Sequence, residues 1–169
     1  IMTVLELILI LPLSFLLGLF INRDFRGNGI VKLLCFAPYI LSPIVTTLVW
    51  FFIVDPGIGL LNIFLKANGL GNMALKWIGG PILTPYTVAI IESWKALGFY
   101  SVLFLAGLKM IPRELYEAAT MDGASSVKKT WYITLPMLKE TIKIVAVYVF
   151  INAIQSMQTV YILTNGQPN

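Results

Sequence analysis

The chain has 169 residues, of which 58% are hydrophobic and only 12% charged. A soluble domain of this length carries charge at roughly a quarter of its positions, so a water-solvated globule is excluded and much of the surface must face lipid. The net charge is +4, with no histidine and a single cysteine. Imidazole acid–base chemistry and His-ligated metals are therefore excluded, and no catalytic residue, metal site or cofactor is expected. No glycine-rich phosphate loop occurs, so any uphill work must draw its energy from another subunit or an ion gradient.

The apolar residues fall in four runs. Residues 2–21 carry one charge, Glu6, and residues 33–54 carry none. Residues 86–108 carry two, Glu92 and Lys95, and residues 144–163 carry none. Each run is about the twenty residues that a helix needs to cross the hydrocarbon core. The prediction is an all-α, polytopic transmembrane bundle forming one domain over residues 1–169. Its spans lie at about 2–21, 31–54, 85–108 and 140–163. Pro12, Pro38 and Pro43 lie inside spans, where proline frees backbone carbonyls and bends helices. Cys35 also lies in a span and reads as an apolar packing residue. The sequence begins with Ile1 inside a span and stops at Pro168-Asn169 just after another, so it reads as a piece of a longer protein.

The basic residues orient the spans. Arg23, Arg26 and Lys32 flank the first short loop, and Lys109, Arg113, Lys128, Lys129, Lys139 and Lys143 lie in or beside the loop after the third span. Only Lys66 and Lys76 lie in the loop between spans two and three. The positive-inside rule puts the rich loops in the cytoplasm, and the net charge is then a topology signal that calls for no nucleic-acid partner. Trp50, Trp77, Tyr86 and Tyr161 fall near the outer interface, with Trp131 and Tyr132 near the inner one, where amphipathic rings settle. The membrane is thus itself a partner.

The external loop, 55–84, opens on Asp55-Pro56-Gly57, a turn signature. Residues 60–66 can form a short helix on the membrane surface, and Asn68-Gly69, Gly71-Asn72 and Gly79-Gly80-Pro81 break up the rest. The loop reads as a surface-hugging connector.

The cytoplasmic loop, 109–138, has more internal order. Pro112 suits the first position of a helix, where its missing N–H is not needed. Glu114 and Glu117 sit near the positive end of the helix dipole, and Ile111, Leu115, Ala118, Ala119 and Asp122 share one face at helical spacing. Gly123 ends the helix as a residue free to take positive φ. A second helical stretch, 125–131, follows, and Pro136 suits the start of the last one. Small side chains at Ala118 and Ala119 let a partner approach the backbone. Periodicity alone fits an ordinary amphipathic surface helix equally well.

In the last span Asn152, Gln155 and Thr159 recur at i, i+3 and i+7, with Tyr148 one turn earlier and Ser156 and Gln158 beside them. Polar groups inside a span face a pathway or a partner helix. Amides and a phenol suit a neutral, hydroxyl-rich solute, and helix–helix hydrogen bonding explains them as well. Glu92 and Lys95, three apart, can pair on one helix face. An unpaired charge at the bilayer centre costs about 2.5–3.5 kcal/mol, so pairing or a water-filled cavity is expected. Glu6 reads as lying close to the outer end of its span.

Glu117-Ala118-Ala119, three residues, Gly123, nine residues, Ile133, one residue, then Leu135-Pro136 resembles the EAA loop of ABC-importer permeases. Leu105-Ala106-Gly107-Leu108, Ile111-Pro112 and Asp122-Gly123-Ala124 extend the likeness. Trp94-Lys95 to Gly98-Phe99, Gly59-Leu60-Leu61-Asn62 and residues 161–168 resemble the carbohydrate-uptake branch. One departure is Gln167, where that branch has a second glycine before the proline. The resemblance implies a family fold of about six spans in a bacterial or archaeal plasma membrane, so that one span at each end is missing here. It implies a non-enzymatic permease subunit importing a sugar or related polar solute. Glu117, Ala118, Ala119, Asp122, Gly123 and Ala124 would form its coupling helix, docked on a cytoplasmic ABC ATPase. Further implied partners are a second permease chain, identical or homologous, and an extracytoplasmic solute-binding protein. Two competing readings are an ion-coupled secondary transporter, whose intramembrane charges would titrate, and a non-transporting assembly subunit, in which the polar stripe only packs helices.

Overall fold

A computed structural model describes residues 2–80 and 82–155 together with Thr159, Tyr161 and Leu163. The described residues form an all-helical bundle without strands. Helix α1 (Met2–Ile21) packs along α5 (Leu83–Lys109), and α9 (Lys139–Gln155) packs against both. Helix α5 is the central post. Its 27 residues span about 40 Å at 1.5 Å per residue, and thirteen of them are buried. Helices α1 and α5 are each long and apolar enough to cross a membrane. The last expected span, 140–163, is described as α9 and as three further helical residues. Ser156, Gln158 and the stretch 164–168, including Gln167, lie outside the described residues, as does Pro81.

The run expected to form one span at 31–54 is broken into α2 (Asn28–Ile40) and α3 (Pro43–Val54), whose axes meet at 97°. The cause is local. Proline disfavours helical geometry at the residue before it, and Ser42 is extended at φ −61° and ψ 147°. The Ser42 hydroxyl then accepts the Val45 N–H at 3.3 Å, and Pro43 opens the new helix. At 13 and 12 residues, neither half reaches the roughly 20 needed to cross alone. By contrast, Pro12 leaves α1 continuous.

Helix α2 crosses α5 at Gly98. A Cβ built there would lie 1.8 Å from the Cys35 carbonyl oxygen, so only glycine admits this crossing. The closeness brings Tyr39 of α2 onto Phe99 of α5, with the rings stacked at 4.5 Å and 8°.

The loop over residues 55–84 is more than a connector. Asp55 accepts the Gly57 and Ile58 N–H groups at 2.8 and 2.9 Å, closing the expected turn. Helix α4 (Leu60–Ala67) follows and carries the buried Asn62. The Asn62 amide donates to the Leu75 carbonyl at 2.9 Å, and its oxygen accepts the Trp77 indole N–H at 2.8 Å. Thr87 of α5 donates to the Trp77 carbonyl at 2.8 Å. The chain from α4 to α5 is thus pinned through one amide. Asn62→Ala would leave a half-buried indole N–H and a carbonyl unpaired, and should cost about 1 kcal/mol. Thermal unfolding of the purified full-length protein in detergent should show the drop, and an unchanged transition would remove Asn62 from this role.

Candidate functional site

Two regions collect the residues singled out in the sequence: the elbow over residues 109–138 and a cavity between α1, α2, α5 and α9.

The elbow starts where α5 ends at Lys109. Ile111 is buried beneath it, and Pro112, extended at ψ 135°, sets the entry to α6 (Arg113–Met121). Helix α6 ends in a Schellman motif. Gly123 has φ 73°, its N–H bonds the Thr120 carbonyl at 3.0 Å, and the Ala124 N–H reaches the Ala119 carbonyl at 2.9 Å. Helix α7 (Ser126–Lys129) follows, and Lys129 at its end donates to Thr120 at 2.7 Å. A π-helical turn (Thr130–Thr134) and the short α8 (Leu135–Met137) lead to the fully buried Leu138 and into α9.

No residue of α6 is buried. Glu117, Ala118 and Asp122 are exposed, with Ala119 and Ala124 half-buried. The face expected from periodicity is therefore divided. Leu115, Ala118 and Asp122 point outward, while Ile111 precedes the helix and is buried. The inward anchor is Tyr116, which packs against the core and whose hydroxyl lies 2.9 Å from the Thr134 hydroxyl. Sequence reasoning missed this pair. The available signal was position, because Tyr116 directly precedes Glu117-Ala118-Ala119 and Thr134 sits between Ile133 and Leu135. Outside the anchor lies an apolar surface, with Met121 90% and Tyr132 80% exposed beside Val127 and Trp131. Large exposed apolar patches mark protein or membrane contacts.

The cavity holds about 40 Å³ and is lined by Glu6, Tyr39, Glu92, Lys95, Tyr100 and Asn152, among others. The Asn152 amide donates to the Tyr100 hydroxyl at 2.7 Å, joining α9 to α5. Thr159 donates to the Glu92 carboxylate. The stripe on the last span is thus split. Asn152 and Thr159 turn onto α5, whereas Gln155 is exposed and Tyr148 is 47% exposed. Tyr148 also meets the edge of Phe99 at 6.1 Å.

Two expectations about charge change. Glu92 and Lys95 share the cavity but form no ion pair, the ion pair among the described residues being the exposed Lys143–Glu140 at 2.9 Å. The alternative expectation, a cavity, is what the fold provides. Glu6 is not merely a residue at a span end. It is 2% exposed and faces the same cavity, a contact invisible in sequence because Glu92 lies on another helix.

If the Asn152–Tyr100 bond couples α9 to α5, Asn152→Ala and Tyr100→Phe should each destabilise the bundle. The double variant should then fall short of their sum by about 0.6–1.7 kcal/mol. Unfolding of the four proteins in lipid or detergent measures this, and strict additivity would mean that the bond carries no coupling.

Comparison with known proteins then places the chain. Residues 10–168 match the family described as binding-protein-dependent transport system inner membrane component. The chain is 35% identical over 159 residues to the trehalose/maltose transport system permease protein MalF of Thermococcus litoralis, covering 94% of this chain and 52% of that one. It is 35% identical over 149 residues to the diacetylchitobiose uptake system permease protein NgcF of Streptomyces coelicolor, covering 87% and 42%. Among solved structures it is similar to a bacterial ABC transporter involved in import of the acidic polysaccharide alginate. That likeness has TM-score 0.85 and 25% identity over 99% of this chain and 58% of that one. A crystal structure of a bacterial alginate ABC transporter, in complex with its alginate pentasaccharide-bound periplasmic protein, matches at TM-score 0.77 and 27% identity, covering 88% and 51%. The chain spans about half the length of the curated relatives it matches.

Proposed function

Because this chain belongs to the binding-protein-dependent transport system inner membrane component family, we propose that it is part of the permease subunit of an ATP-driven ABC importer. Its solute is a sugar or related polar molecule, as the printed names of the trehalose/maltose and diacetylchitobiose relatives suggest. The chain contributes four membrane crossings, with the bent α2–α3 pair serving as one.

The observation that carries the reading is the elbow. An exposed helix bearing Glu117-Ala118-Ala119 ends at a positive-φ glycine and is anchored inward by Tyr116 on Thr134. Such a helix is accessible to a cytoplasmic ATPase subunit, and its exposed Glu117 can pair with a basic residue there. Ala118 and Ala119 admit a close approach, and Asp122, Gly123 and Ala124 fix where the helix stops. Movement of the ATPase is passed to the spans as a rigid-body shift, because α6 is tied to the turn that leads into α9. Catalysis of ATP hydrolysis belongs to that partner. A second permease chain completes the translocation path, and an extracytoplasmic solute-binding protein delivers the solute. Tyr148, Asn152, Gln155 and Thr159 supply the polar wall of the path. Gln155 and Tyr148, exposed in this chain, face the solute or the second permease.

Gly123→Val should uncouple the system, since a β-branched residue disfavours positive φ. In proteoliposomes bearing the full-length permease with its copurifying ATPase, solute uptake should fall at least about tenfold, a loss of about 1.4 kcal/mol in coupling. Uptake at the unaltered rate with the ATPase still bound would refute the coupling role. Asn152→Ala should change the half-saturating solute concentration or the uptake rate without releasing the ATPase. Unchanged kinetics would return Asn152 to a purely helix-packing role.

A further inference from the structure

The cavity between α1, α2, α5 and α9 has a charge imbalance that its protein partners leave open. Two carboxylic acids, Glu6 on α1 and Glu92 on α5, face it with one amine, Lys95 on α5. Tyr39 of α2, Tyr100 of α5 and Asn152 of α9 complete the polar lining. With all three charged groups ionised, the cavity carries one excess negative charge in a membrane helix bundle, where an uncompensated charge is costly.

The two acids are not equivalent. Glu92 accepts the Thr159 hydroxyl. Glu6 is 2% exposed, and its Oε1 is buried without a hydrogen-bond partner among the described residues. Lys95 forms no ion pair with either carboxylate among the described residues. Glu6 lines a cavity of mixed polar and apolar character, and a buried carboxylate oxygen with no partner among the described residues calls for a positive or hydrogen-bearing neighbour. The volume of about 40 Å³ is too small for a sugar ring and large enough for a small ion or a few waters. The surrounding donors are hard oxygens: two carboxyls, two phenols and the Asn152 carbonyl. The Asn152 nitrogen is committed to Tyr100, so its oxygen remains available as an acceptor.

We propose that this cavity is a binding site for one exchangeable monovalent cation, a proton or an alkali ion, held by Glu6 with Glu92 and balancing the excess charge. The bound cation neutralises the contact face of α1, α2, α5 and α9, and its loss loosens the packing of α1 on α5. The inference rests on the cavity and is independent of which solute the protein imports.

Dicyclohexylcarbodiimide attacks protonated carboxyls in apolar surroundings, and peptide mapping by mass spectrometry locates the adduct. The test uses wild-type full-length permease reconstituted in liposomes with its copurifying subunits. If the occupant is a proton, labelling at Glu6 falls about tenfold per pH unit once past the midpoint, and neither sodium nor potassium alters it. If the occupant is an alkali ion, sodium or potassium protects Glu6 saturably at fixed pH, whereas choline does not. Absence of an adduct at Glu6 and Glu92, or labelling indifferent to pH and to both ions, overturns the proposal. Because the wild-type protein is used, the result does not depend on a variant folding. Glu6→Gln serves as the control, in which protection of Glu92 by sodium or potassium should be lost while its labelling keeps the pH dependence of a lone carboxyl.

Discussion

A polar side chain on a membrane helix has no water to turn to, so it must be satisfied by protein or by something the protein encloses. Here several such settlements are made along α5, while Ser14 and Thr47 turn to carbonyls of their own helices. Ser101 bonds the Leu97 carbonyl of its own helix at 2.7 Å, Tyr100 takes Asn152 from α9, Glu92 takes Thr159, and Thr87 holds the Trp77 carbonyl of the 55–84 loop. The helices can reach these partners only because they approach α5 closely. The Gly98 crossing sets the tightest of these distances, with the Cys35 backbone where a side chain would otherwise stand. Satisfaction of polar groups and closeness of packing are thus one constraint.

Among the described residues that constraint is incomplete at the buried side-chain atoms of Thr46, Trp50 and Ser93, and at Glu6 beside the cavity. Packing is continuous on either side of it. Phe15 meets Phe104 edge-on at 5.7 Å, and Tyr39 stacks on Phe99. A polar gap inside an otherwise well-matched contact is where differential binding can bias two arrangements of the same helices. An aqueous exterior would erase this energetic contrast, whereas the membrane preserves it.

The elbow depends on the same post. Leu108 at the end of α5, Ile111 just beyond it and Leu138 at the entrance to α9 belong to one buried cluster, against which Tyr116 packs. Helix α6 therefore hangs outside the core but is tethered to it at Tyr116. A load applied to its exposed face reaches Thr134 and Leu138 through one hydrogen bond and a continuous apolar contact. Interior packing of this density transmits displacement instead of absorbing it.

The sequence by itself determined the class of the molecule. Nearly uncharged apolar runs led to the expectation of membrane helices, asymmetry of lysine and arginine gave them an expected orientation, and the likeness of Glu117-Ala118-Ala119 with Gly123 and Leu135-Pro136 to a family loop pointed to the elbow. These are local or periodic properties, fixed by composition and by spacing along one chain. Pro43 signalled a bend, but its 97° magnitude appears only in the folded chain. Only the tertiary structure decided that Asn152 faces Tyr100 while Gln155 faces outward, that Tyr116 rather than Leu115 anchors α6, and that Glu6 meets the cavity of Glu92 and Lys95. Each joins residues far apart in sequence through close helix approach, and a single sequence contains no measure of which faces will meet.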